Sequence, residues 1–495
     1  MRHRITRGLT GLILVVTLAG TIVYCTNKDF SSSGMIFSSS VAGAREANIA
    51  TNSVLAQIKA RGELVALTRY NTSSYFIYKG QPMGYEYEML KLLANYLDVD
   101  LKIVATDDWS GMFDALENGQ GDIIAANLIV SESRATKLAF TDSYRITRQV
   151  LVQRKPDGWR KMTTHGLNAS LIRDPVALIG RTVSVRQSSA YYTSLDELSR
   201  ELGGNINIDP IPEDVETEEL IKLVAEGKID FTVADEDVAR LNQAYFSNLD
   251  VETVLSLPQS IAWAVRKDAP HLLSEVNKWL NSLQSTYDPT FNVIYKKYYK
   301  NNQAFARHMT SAYSSKNGDK ISEYDDLFRI NASRIGWDWR LIAAQAFEES
   351  HFDIHTESRM GAVGMMQLLP TTGKDFGANN LRNPAENIRA GASYLKWLDE
   401  YWSKEILDPN ERLKFVLASY NAGQGHIQDA RRLATKYGYS SDLWDGNVAL
   451  FLLKKSKKKY YNDPIVRFGY CRGIEPFNYV KGVLNRYEHY KKMLT

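Results

Sequence analysis

The chain has 495 residues, 44% hydrophobic and 24% charged, a globular composition with room for two or three domains. Sixty lysines and arginines against 57 aspartates and glutamates leave a net charge of +3, which argues against a nucleic-acid binder with a dominant basic face. Two cysteines, Cys25 and Cys471, exclude a disulfide framework, and no C-x-x-C pair is present to hold zinc.

At the N-terminus, Arg2, Arg4 and Arg7 precede a mostly apolar, uncharged run from Leu9 to Tyr24. A basic start followed by such a run reads as an export signal. It is short for a spanning helix, which needs ~20 apolar residues. Cys25 closes the run, the place of the lipidated cysteine in a lipoprotein signal, although Tyr24 stands where a small residue is usual. An uncleaved signal-anchor is the competing reading of residues 1–25. Both tether the remaining chain to a membrane, outside the cytoplasm. Residues 26–50, rich in Ser, Gly and Ala as far as Ala47, read as a flexible tether.

From 51 to 300 strand and helix patterns alternate. LVALTRY is a strand candidate, Glu86 to Leu97 has helical spacing, LKIVAT is a strand, MFDALENG a helix ending at Gly119, and DIIAANLIV a buried strand. A second set follows: GRTVSVR, a helix from Ala190 to Leu202, NINIDPI, a helix from Thr217 to Gly227, and IDFTVAD. Two such sets predict two α/β lobes with a ligand pocket between them. SLPQSIAWAVRKD reads as a return strand, followed by helices from Leu272 to Leu283 and from Phe291 to Lys300.

The ordered blocks GQPMGYEYEMLKLLANYL, W-x-x-M-F-D-A-L-x-x-G-x-x-D, S-E-S-R and FTDSY resemble the family of periplasmic binding proteins for polar amino acids. The resemblance implies that Arg134 clamps a ligand carboxylate, that Asp235 receives its ammonium, and that Ser188 and Ser189 form a hydroxyl-bearing loop. A guanidinium fork suits a carboxylate. Ile129 departs from the family, which has a small hydroxyl donor there. The residues alone leave Arg134 an alternative, a surface pair with Glu132 or Asp142. Asp230, Glu236 and Asp237 lie close to Asp235 as alternatives.

Residues 301–320 read as a linker, and the pattern from 321 to 495 is helical throughout. Ile330, Ile335, Trp339, Ile342, Ala343, Ala346 and Phe347 recur at helical spacing, with a turn expected over Ser333 to Gly336. A helix from about Asp338 to Ser350 carries Glu348 and Glu349 at its C-terminal end, where the helix dipole disfavours negative charge. The run Lys454, Lys455, Lys457, Lys458 and Lys459 reads as a solvated face.

Four ordered blocks, E-S-x-F at Glu349, G-x-x-G-M-M-Q at Gly361, A-S-Y-N-A-G at Ala418 and N-Y-V at Asn478, resemble the soluble lytic transglycosylase catalytic domain, a lysozyme-like helical fold. With the binding module in front, the module order resembles the membrane-bound lytic transglycosylases. The fold expected is therefore a two-lobed α/β periplasmic binding module followed by an all-α lysozyme-like domain.

The resemblance implies cleavage of peptidoglycan glycan strands between N-acetylmuramic acid and N-acetylglucosamine, with 1,6-anhydromuramoyl ends as product. Such a bond breaks through an oxocarbenium-like transition state, and its leaving oxygen needs a proton. Glu349, on an apolar helix, is the candidate acid. Glu348 lies on another helix face and Asp353 lies past the helix end, so no second carboxylate is expected. Ser350 either orients substrate or caps a turn. Gln367, Tyr420, Asn421 and Tyr479 are the remaining substrate-binding candidates. His351 and His355 lack the Glu of an H-E-x-x-H motif, so no metal and no cofactor are expected. The partners expected are glycan strands, an amino-acid or cell-wall peptide ligand and a membrane, with no nucleic acid. The location expected is the cell envelope, facing the periplasm at the outer membrane. A protein that binds glycan or a small ligand without cutting is the alternative function.

Overall fold

The computed structural model describes residues 53–493, except 107, 188, 286–288, 302–303, 305–306, 309 and 316–317. The expectations for the signal, Cys25 and the tether fall outside the described residues, as does Ser188.

The first lobe is built on a mixed sheet ordered β4-β1-β5-β13-β6, with β7 (Arg145–Thr147) pairing β13. Here β1 is Glu63–Arg69, β4 Asp100–Thr106, β5 Ile123–Ile129, β6 Leu138–Phe140 and β13 Gln259–Arg266. β1 runs parallel to β4 and β5, as the crossover helices α1 (Tyr85–Leu97) and α2 (Trp109–Glu117) require. β5 is apolar except for Asn127 because helices cover both faces of the sheet. β13 returns from the second lobe and pairs antiparallel with β5.

The second lobe holds β8 (Gln149–Arg154) between β11 (Phe231–Asp235) and β12 (Leu249–Asp250), together with the parallel pair β9 (Thr182–Arg186) and β10 (Asn207–Ile211). Its crossover helices are α3 (Ala190–Glu201) and α4 (Thr217–Glu226).

The C-terminal part is helical: α5 (Asp325–Ile335), α6 (Trp339–Ser350), α7 (Pro384–Ser403), α8 (Pro409–Ala422), α9 (Gln424–Lys436) and α10 (Ile474–Met493) are its main elements. The turn expected over Ser333–Gly336 lies later. α5 continues through Ile335, and Gly336 (φ 73°) ends it in the left-handed conformation that glycine adopts without strain. Ile330 is half exposed rather than in the core.

The lysine run also differs from expectation. Lys455 is fully buried and donates to Asp429 (2.6 Å), itself fully buried, and shares a hydrogen bond with His426 Nδ1 (2.8 Å). A charge loses so much hydration on burial that it survives there only with such partners.

Residues 313–315, within the expected linker, are tied to the first lobe. Lys79 N–H donates to the Tyr313 carbonyl (2.9 Å) and Ser315 N–H to the Ile77 carbonyl (2.9 Å). They extend the hairpin of β2 (Phe76–Tyr78) and β3 (Gln81–Met83).

Candidate active site and ligand cleft

α6 begins at Asp338, whose side chain accepts from the Arg340 N–H (2.9 Å). That bond satisfies one of the donors a helix start leaves unpaired. The helix closes in a left-handed turn at His351 (φ 53°) and Phe352 (φ 65°), leaving Glu348 and Glu349 in its last turn. The two carboxylates part company there. Glu348 accepts from Arg486 Nε (2.9 Å) and Nη2 (2.7 Å), while Glu349 Oε1 accepts from the Tyr479 hydroxyl (2.6 Å). Both partners stand on α10.

Glu349 is partly exposed, and Tyr420 and Tyr479 lie beside it. Loss of hydration pushes its pKa up from 4.5 to about 7; the Tyr479 hydrogen bond opposes the rise and the Glu348 charge adds to it. Among the described residues, the carboxylate that acts on Glu349 is Glu348, and Arg486 holds it. Asp353 is turned to its own loop, accepting from the His355 N–H (2.8 Å) and the Thr356 hydroxyl (3.1 Å).

The glycine loop behind the site is rigid for identifiable reasons. Gly364 has φ 81°, and a Cβ there would meet the Leu381 carbonyl at 2.3 Å, so no other residue fits. The buried Asn387 side chain clamps this loop by donating to the Val363 (3.0 Å) and Leu381 (2.9 Å) carbonyls and accepting from the Met366 N–H (2.8 Å). Met365 and Met366 are fully buried.

Two substrate-binding expectations need correction. Ser350 is buried, and its hydroxyl faces the Met365 (2.8 Å) and Ala346 (3.2 Å) carbonyls, so it joins the loop to the helix instead of facing substrate. The Gln367 amide donates to the Thr356 (3.0 Å) and Gly364 (2.9 Å) carbonyls, which uses both of its donor hydrogens. Donation to an N-acetyl group is therefore not available from it.

Tyr420 donates to the Met366 carbonyl (2.8 Å), and its ring packs against Tyr394 with centroids 5.0 Å apart. Asn421, beside it at the end of α8, is exposed. The residues brought together around Glu349 are thus Tyr479 and Tyr420, with Gln345 one turn earlier on α6.

In the N-terminal module, side chains of the two lobes meet across the cleft. Arg69 pairs with Glu216 (Nε to Oε1, 3.0 Å), the Thr72 hydroxyl donates to Glu218 (2.7 Å), and the Asn127 amide donates to Asp235 Oδ2 (2.7 Å). Arg134 makes no ion pair with Glu132 or Asp142 among the described residues. It donates to the Ile129 carbonyl (3.2 Å) and lies over Trp109 (5.4 Å) and Phe113 (5.6 Å). Asp235 is fully buried; burial raises its pKa, while the Arg145 charge and the Asn127 and Tyr191 side chains beside it lower it. Asp237 is instead paired with Arg145 (3.0 Å). Ser189 caps α3: its hydroxyl accepts from the Tyr192 N–H (3.3 Å) and donates to the Arg186 carbonyl (2.7 Å), which removes it as a ligand donor.

Two family models match the chain. Residues 65–301 match the bacterial extracellular solute-binding proteins, family 3, and residues 326–442 match the transglycosylase SLT domain. The chain is 34% identical over 436 residues to the membrane-bound lytic murein transglycosylase F of Desulfosudis oleivorans, covering 88% of this chain and 91% of that one. It is 31% identical over 437 residues to the protein of the same name from Pseudomonas fluorescens, covering 88% and 86%. The chain belongs to the membrane-bound lytic murein transglycosylase F family.

Three residues of this member's sites escaped the sequence reading. Gln345 is fully buried, with its amide beside the Tyr479 hydroxyl. An amide four residues before Glu349 on an apolar helix face was the available signal. Asn387 offered a similar one, a polar residue on the inner face of α7. Arg186 offered none, because the residues it faces lie on other elements.

Proposed function

We propose that Glu349 is the general acid and base of a transglycosylase that cuts peptidoglycan between N-acetylmuramic acid and N-acetylglucosamine. The observation that supports this most is a desolvated carboxylate with a pKa near 7, beside a tyrosine hydroxyl and, among the described residues, with no free second carboxylate. Near neutral pH a large fraction of Glu349 carries its proton and can protonate the leaving oxygen. Tyr479 occupies Oε1, which leaves Oε2 to hold that proton. The Tyr479 hydrogen bond then steadies the carboxylate that forms. With no second carboxylate to attack the sugar or activate water, the C6 hydroxyl of the muramic acid attacks C1. Its proton passes to the ionised Glu349, leaving a 1,6-anhydro end without consumption of water. Tyr420 and the exposed Asn421 border the sugar beside the cut.

In this reading the N-terminal module senses an amino acid or cell-wall peptide between its lobes, with Arg134 on a carboxylate and Asp235 on an ammonium. The N-terminal signal and Cys25 lipidation would hold the enzyme at the outer membrane, facing the periplasm.

Mass spectrometry of digested peptidoglycan tests the chemistry. Products one water lighter than hydrolysed muropeptides are expected, and reducing ends would refute the lytic step. Glu349→Gln should abolish release while leaving glycan binding intact.

A further inference from the structure

Trp109, at the start of α2, has three guanidiniums around its ring. Arg69, Arg134 and Arg186 lie 5.3, 5.4 and 5.4 Å from its centroid. Arg69 and Arg134 come from the first lobe and Arg186 from the end of β9 in the second, so the cluster spans the cleft. Glu216 neutralises Arg69. Arg134 and Arg186 form no ion pair with any described carboxylate, and the buried Nε of Arg186 has no hydrogen-bond partner. Burial, with the Arg186 charge adding to it, lowers the pKa of Arg134 to about 10. Two like charges in a closed, partly desolvated cleft are costly unless an anion joins them. An aromatic face relieves part of that cost and leaves the forks open.

We propose that the interlobe cleft takes a ligand with two carboxylates, one on the Arg134 fork and one on the Arg186 fork, lying against Trp109. This rests on the sensing reading of the N-terminal module. Arg186 is then the residue that sets specificity: it selects a carboxylate-bearing side chain and rejects cationic ligands. The shared chemistry is that of an acidic amino acid, whether free or at the C-terminus of a peptide. Tyr191 lies within electrostatic range of Arg186, Arg134 and Asp235, which places all four in one cleft. The asymmetry of the cluster favours a second anion over an uncharged side chain, because a neutral amide leaves one guanidinium uncompensated.

Calorimetric titration of the full chain with L-glutamate, L-glutamine, L-arginine and alanyl-glutamate tests this. Glutamate and glutamine share a shape and differ by one charge. At least one of glutamate and alanyl-glutamate is expected to bind; the tighter of the two tells the free amino acid from the peptide end. Glutamine should bind 10- to 100-fold more weakly, and arginine not at all. Arg186→Gln should erase the preference for glutamate over glutamine, and Arg186→Lys should keep much of it, with unchanged melting temperatures confirming the fold. Glutamine binding as tightly as glutamate, arginine binding, or no binding by either acidic probe would each overturn the proposal. Because the readout is binding, a failure of glycan cleavage does not touch it.

Discussion

Glu349 stands where ionisation is unfavourable, and its behaviour with pH follows from that. Its pKa of about 7 makes it competent as an acid below neutrality, so kcat/KM should fall about tenfold per pH unit above that value. Tyr479→Phe removes a hydrogen bond that favours the carboxylate. The falling limb should then move to higher pH while kcat drops, which a pH–rate profile reads directly. Stability carries the opposite sign. Unfolded, the carboxyl ionises near 4.5; folded, it keeps its proton to about 7. The cost of ionising it therefore grows across that window and is complete above it, at roughly 3 kcal/mol. Glu349→Gln should make the protein more stable than the parent at pH 8 and leave it nearly unchanged at pH 4, as urea unfolding at the two pH values would show.

At the scale of elements, the hairpin of β2 and β3 packs against α6, the helix that carries Glu349. Its Gly80 (φ 76°) offers a carbonyl to Arg486 Nη1 (3.0 Å) and the Tyr490 hydroxyl (2.9 Å). A Cβ there would meet Phe352 at 2.6 Å, Tyr490 Oη at 2.8 Å and Phe347 at 2.9 Å. Gly80→Ala forces both a strained backbone and an overpacked contact, so a loss of about 1–3 kcal/mol is expected. Because Arg486 also holds Glu348, the same change should lower activity. Thermal melting together with a glycan-release assay checks both; an unchanged melting temperature would mean that the hairpin does not dock so closely in solution.

At the scale of the whole molecule, α10 serves two sites. One face carries Tyr479 to Glu349, and another packs on the first lobe through Lys481 to Asp100 (2.8 Å) and His489 to the Tyr75 hydroxyl (2.9 Å). A cavity of about 250 Å³ lies along this seam, lined by Tyr87, Asp100, Glu348, Arg486 and His489 among others. Burial lowers the pKa of His489 from 6.5 to about 4; the Ile103 carbonyl opposes this, and the Lys492 and Arg486 charges add to it. Between about pH 4 and 6.5 the folded seam therefore holds a neutral ring where the unfolded chain holds a charged one. Its contribution is complete above pH 6.5 and is lost progressively as pH falls towards about 4. His489→Gln should flatten the pH dependence of the melting temperature in that window while leaving it little changed above pH 7.

The sequence by itself determined the order of elements and marked Glu349 as the candidate acid. Alternating apolar runs, the helical spacing that leads to Glu349 and the four C-terminal blocks are local patterns, readable within a few turns of chain. Glu349 stood out because the E-S-x-F block that carries it is followed in order by the other three blocks; a carboxylate at a helix end by itself reads as solvated. The tertiary structure decided what each polar group spends its hydrogen bonds on. Tyr479 meets Glu349 across 130 residues, and Asn387 meets Met366 across 21. Ser350 and Gln367 look free for substrate until the loop folds back and takes their donors. Lys455 looks solvated until Asp429 arrives. The charge cluster at Trp109 joins strand ends from two lobes. Local periodicity fixes which face of an element is apolar, whereas hydrogen-bond partners and buried charge depend on the approach of segments distant in sequence.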